Sequence, residues 1–206
     1  MSATGVEAVP AARDWRDVLR DATDLALVGI TVVLASVPVL TAGAAVGTAS
    51  AAVHDWAETG TWPPARRILA RFGRALLPGA AVTVLAVLVT GLLVADLLAL
   101  AAGRVPGGTP ALLVTVAVAV ALVGYAGLVV VEVGRAGGAG WRAAARSAAG
   151  TCLARPGLWA ALSGVTLLTG FLAVLVHPVA VTLLAGYAIA ALHAVTRRAA
   201  APRAAA

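Results

Sequence analysis

Long apolar runs alternate with shorter segments that carry the arginines, and this alternation restricts the fold more than any other feature. Five runs are legible, at 24–53, 76–101, 110–133, 158–175 and 179–195. Each approaches or exceeds the roughly 18–20 residues that a helix needs to cross the hydrocarbon of a bilayer. Composition agrees. A soluble domain is about 45–50% apolar and about 25% charged; here the values are 61% and 12%, with a mean hydropathy of +0.98. The expected fold class is all-α: a polytopic transmembrane helix bundle of about five spans, with basic amphipathic helices at the interface. Residues 1–206 form one integral membrane domain in this reading.

The net charge of +6 raises the question of nucleic acid, but the placement of the charges answers it. All 15 basic residues are Arg, and they flank the apolar runs, where the positive-inside rule puts them. The absence of Lys, Asn and Gln reflects a GC-rich coding bias. The lipid bilayer, not nucleic acid, is therefore the expected partner. The single Cys152 allows neither an intrachain disulfide nor a thiolate metal site.

Residues 1–23 are polar, with Trp15, Val18, Leu19 and Ala22 at helical spacing and Arg and Asp opposite. That pattern suits a short helix lying in the interface. "TASAA" near the end of the first run resembles a signal cleavage site, but the acidic leader and the early Pro38 oppose that reading, so the segment is expected to stay on the chain. Two connections share a plan: "WPPARRILARFGRALLPG" from Trp62 and "WRAAARSAAGTCLARPG" from Trp141. In the first, Ile68, Leu69, Phe72 and Leu76 take one helical face and Arg66, Arg67, Arg71 and Arg74 the other. Such a helix lies in the headgroup plane, preferably on an anionic leaflet. Either the two connections mark a degenerate parallel repeat, or they resemble each other by composition alone.

Orientation follows from the arginines. The two long loops and the C-terminus carry eleven of them and belong in the cytoplasm of a multi-pass cell-membrane protein. A crossing by 24–53 places the N-terminus outside, leaving four arginines on that side. A re-entrant segment turning at Pro38 would leave one. Crossing is the expectation, because a re-entrant loop must be shielded by protein.

Within 24–53 the character changes at Pro38. Gly43, Gly47 and Ala51 recur every fourth residue, a small-residue face that lets another helix approach closely. Pro38 removes a helix hydrogen bond, and Thr41, Thr48 and Ser50 can bond their own backbone or a neighbour. The face serves either helix packing or a substrate path, and packing is expected. Asp96 and Glu132 are the carboxylates inside the second and third runs, a position that marks functional candidates by default. They sit at opposite ends of successive runs and cannot act as an acid–base pair. Arg104 and Arg135 are their expected ion partners. His54, His177 and His193 lie at segment ends without the i, i+4 spacing of a zinc helix, so no metal, cofactor or catalytic residue is expected. Ser163, Thr166 and Thr169 are expected to bond their own backbone. Trp15, Trp56, Trp62, Trp141 and Trp159 read as interfacial anchors.

The segment "PVLTAGA" also resembles a family. Pro38, Val39, Thr41, Gly43 and Ala44 match the P-I/V-x-T-x-G-A pattern of the YesL-like bacterial membrane proteins, and the helix order and Arg-rich loop are similar along most of the chain. The resemblance implies a domain of unknown function, of a family often encoded beside carbohydrate-uptake transporters and glycan-degrading enzymes. It therefore implies a non-enzymatic accessory or regulatory component of carbohydrate uptake. Its expected partner is a transporter membrane subunit or a second copy, docked through the small-residue face. A small permease, with a path between the first three spans, is the alternative. An enzyme would need polar groups clustered at one depth, a pattern not visible in the sequence.

Overall fold

A computed structural model describes residues 14–104, 107–175 and 178–200. The described elements are seven α-helices and one 3-10 turn: α1 (Trp15–Ala35), the turn (Val39–Thr41), α2 (Ala42–Thr59), α3 (Ala65–Ala101), α4 (Gly108–Arg135), α5 (Trp141–Ala154), α6 (Pro156–Leu175) and α7 (Pro178–Ala200). The protein is a helical membrane protein: α3, α4 and α6 are long and apolar enough to cross a bilayer. The expected runs at 24–53 and 179–195 are helical, but neither forms a helix with that combination of length and hydropathy among the described residues. His177 lies outside the described residues.

The first apolar run is two helices rather than one. Proline cannot donate to the helix ladder and pushes its predecessor out of the helical region, so α1 stops at Ala35 and α2 starts at Ala42. The Ser36 hydroxyl closes α1 on the Val32 carbonyl at 2.7 Å. Thr41 then holds the turn. Its amide donates to the Pro38 carbonyl at 2.7 Å, and its hydroxyl reaches the carbonyls of Pro38 and Ala35. Pro38 and Thr41 are thus the corner of a helical hairpin.

Close glycine contacts set the neighbours of this hairpin. Gly29 of α1 lies against the Thr182 carbonyl of α7, and Gly186 lies against the Leu25 carbonyl. A Cβ on either glycine would collide with backbone. Tyr187 adds a hydrogen bond to the Ala22 carbonyl at 2.9 Å. Ascending positions in α1 meet descending positions in α7, so the two helices are antiparallel. On the other side α2 runs antiparallel to α3, with Gly43 facing Gly79 and Asp55 facing Arg71. The start of α1, the end of α2, the start of α3 and the end of α7 therefore share one end of the bundle, and so do their arginines.

Two expected interfacial helices are not separate. The helix expected within 1–23 is continuous with α1 from Trp15 onward, residues 1–13 lying outside the described residues, and the basic helix before the second run is the first part of α3. At ~1.5 Å per residue, the 37 residues of α3 extend about 56 Å, well beyond a ~30 Å hydrocarbon core. Pro78 lies inside this helix, a placement that membrane helices tolerate. The second basic connection does form its own helix, α5, which ends at Ala154 and is followed by Arg155 and Pro156. The two connections thus differ in structure: one is fused to its span and the other is not.

Candidate functional site

The small-residue helix α2 is the centre of the molecule. Ten of its residues, including Gly43, Gly47 and Ala51, are buried, and Ala44, Ser50 and Ala51 have no exposed surface. Its neighbours are elements of the same chain. At the entry to α2, the Gly43 amide donates to the Thr83 hydroxyl at 2.8 Å, and that hydroxyl donates in turn to the Gly79 carbonyl at 3.0 Å. The Gly43 amide is one of the donors that a helix start leaves unpaired, so α3 supplies the cap. Farther along, Gly47 faces the Gly138 carbonyl, the Trp141 ring and Val133. Gly137, Gly138 and Gly140 all have positive φ. Glycine alone adopts this cheaply, and the resulting loop brings Trp141 back under α2.

A polar cluster sits where α2, α4 and α7 meet. The Ser50 hydroxyl lies 2.8 Å from the Val130 carbonyl and 2.8 Å from Nε2 of His193. With one proton to give, Ser50 can donate to Val130 while accepting from an Nε2–H tautomer of His193. Gly134 makes room for it; a Cβ there would strike the Ser50 hydroxyl and lie 3.0 Å from His193 Nε2. The His54 and His193 rings stack at 5.7 Å. Ser50 is fully buried and His193 is 2% exposed, so the pair is closed off from the surface of the described structure. It ties three helices together, because an unpaired polar group in such a place is costly.

Ion pairs and anchors ring the arginine-rich end. Arg71 donates to Asp55 at 2.8 Å, which puts it on the packed side of α3 rather than on the open basic face. Arg197 donates to the Ala57 carbonyl at 2.7 Å. Trp62 stacks on Trp56 at 5.2 Å and donates to Asp24 at 3.0 Å. Ile68 and Phe72 are half-buried, whereas Leu69 is 68% exposed. Arg66, Arg67 and Arg74 remain on the surface. Trp141 is buried and Trp159 donates to the Ala121 carbonyl at 3.1 Å; both are packing residues rather than surface anchors.

Asp96 and Glu132 stand apart, as their spacing indicated. Glu132 pairs with Arg135 at 2.8 Å and accepts from Ser147 at 3.2 Å. Asp96 accepts from Thr115 of α4 at 2.9 Å, not from Arg104. Ser163, Thr166 and Thr169 donate to the carbonyls four residues back. Among the described residues no group of three His, Cys, Asp or Glu is placed to hold a metal ion. Thr83, Gly79, Gly134 and the Gly29–Gly186 contact were not recognised from the sequence, whose glycines and hydroxyls look alike wherever they fall. No protein-family model matches the chain, and no curated protein or solved structure matches it.

Proposed function

We propose that the protein is a non-enzymatic accessory component of a membrane assembly, docking a transmembrane helix of its partner on α3. The observation that carries this reading is the outer half of α3. Its most apolar 18-residue window has a hydropathy of 2.6 and no buried residue. Gly91 has open space at its Cβ position, and Ala95, one turn on, is also exposed. Small residues four apart on a lipid-facing helix let a second backbone come close. The docking face thus moves from Gly43, Gly47 and Ala51, which the chain's own helices cover, to Gly91 and Ala95. Carbohydrate uptake as the setting rests on the YesL-like resemblance alone. A permease would need a path through the region that α2 fills with buried side chains.

The same reading places the arginine-rich end in the cytoplasm, together with the start of α1, in keeping with the arginine count for a segment that turns at Pro38. Gentle affinity purification from native membrane, comparing wild type with Gly91→Leu, tests the docking. The expected result is stoichiometric recovery of a transporter membrane subunit with wild type and its loss with Gly91→Leu, at unchanged thermal stability. Recovery of the protein alone, or equal recovery by both, overturns the proposal.

A further inference from the structure

An open cavity of about 440 Å³ lies among α4, α5, α6 and α7 at the arginine-rich end of the bundle. Its polar lining is Glu132, Arg135, Ser147, Thr151, Arg155 and Thr196. Arg135 is the last residue of α4 and Arg155 directly precedes α6. Both helices are apolar enough to cross the membrane, so these guanidinium groups stand where a crossing helix meets the headgroups.

The charges do not cancel. Glu132 takes Arg135 at 2.8 Å, which leaves Arg155 with no hydrogen bond or ion pair to its guanidinium among the described residues. Two cations face one carboxylate. The positive end of the α6 dipole adds to the attraction for an anion at its first turn. The negative ends of α4 and α5 oppose it, but Arg135 covers the first and Arg155 caps the second. The Ser147 hydroxyl donates to Glu132 at 3.2 Å and the Thr151 hydroxyl to the Ser147 carbonyl at 3.1 Å. Both protons can rotate towards an incoming acceptor. A guanidinium fork matches the oxygens of a phosphate group, and Leu128 and Leu158 supply apolar surface beside it.

We propose that this cavity binds a phosphate-ester anion, with Arg155 as its principal contact, Arg135 as the second cation, and Ser147 and Thr151 as hydroxyl donors. The Glu132 carboxylate holds Arg135 in place and limits the site to one phosphate group. The phosphate can come from an anionic lipid headgroup or from solution, and the depth of the site favours the lipid.

The test uses the full chain, stripped of lipid in detergent, with binding measured for phosphatidylglycerol, phosphatidylcholine and inorganic phosphate. Wild type is expected to bind phosphatidylglycerol and to discriminate against phosphatidylcholine. Loss of one charge-assisted contact costs roughly tenfold or more, so Arg155→Gln is expected to raise Kd for phosphatidylglycerol about tenfold. Arg104→Gln, which removes the same charge outside the cavity, is expected to stay within about twofold of wild type. Saturable binding of inorganic phosphate that Arg155→Gln abolishes, with no preference between the lipids, supports the anion site and assigns it a soluble ligand. Should Arg155→Gln fail to fold, the double variant Ser147→Ala, Thr151→Val reads the same site and is expected to weaken phosphate-ester binding several-fold. Equal loss in the Arg155 and Arg104 variants, an unaffected double variant in that case, or no binding of either phosphate source overturns the proposal.

Discussion

Replacing Gly43 with Ala adds a single methyl group at the tightest crossing of α2 and α3. The new Cβ would collide with the Gly79 carbonyl oxygen and lie 3.0 Å from both its carbon and the Thr83 hydroxyl. Backbone cannot rotate out of the way, so the helices must separate, and the 2.8 Å bond from the Gly43 amide to Thr83 stretches with them. Overpacking costs about 1–3 kcal/mol and the weakened buried bond about 1 kcal/mol. The better helix propensity of Ala returns at most about 1 kcal/mol. The expected net loss is about 2 kcal/mol, or roughly 4–8 °C in melting temperature at ~2–4 °C per kcal/mol. Thermal unfolding in one detergent checks it, with Gly73→Ala and Gly91→Ala as controls, because both have open space at the Cβ position. Those two are expected to match wild type or exceed it slightly. A Gly43→Ala protein as stable as the controls would refute the crossing and the central place of α2.

Thr83→Val keeps the shape but leaves the Gly43 amide without its acceptor, and is expected to destabilise by about 1–3 kcal/mol in the same assay. Ser50→Ala strands His193 Nε2 in the core at a similar cost, whereas Asp96→Asn, on an exposed bond to Thr115, is expected to change stability by less than about 0.5 kcal/mol. A cysteine at Asp17 in a Cys152→Ser background is expected to resist an impermeant thiol reagent in intact cells; labelling would place the start of α1 outside. Burial pushes the Cys152 thiol up from its ordinary value, so its thiolate fraction at a given pH is smaller. Its alkylation at pH 8 is expected to lag that of a free cysteine peptide and to catch up as pH rises; equal rates at pH 8 would contradict the burial.

The sequence alone was enough to establish a helical membrane protein, because run length and hydropathy are properties of a segment by itself and lipid reads them segment by segment. It also marked Pro38 as a break in the first run, Arg135 as an expected partner of Glu132, and Gly43, Gly47 and Ala51 as an expected packing face. Each of these is local, decided by spacing along one helix. What packs on that face is not local. Ser50 meets His193 across 143 positions, and Gly43 meets Thr83 across 40. A glycine at a crossing and a glycine on an open face are the same letter, as Gly43 and Gly91 show. Only the tertiary structure turned the first run into a hairpin, put α2 at the centre and left the outer half of α3 standing in the open. Close helix approach depends on pairs of surfaces, and a sequence presents each surface without its partner.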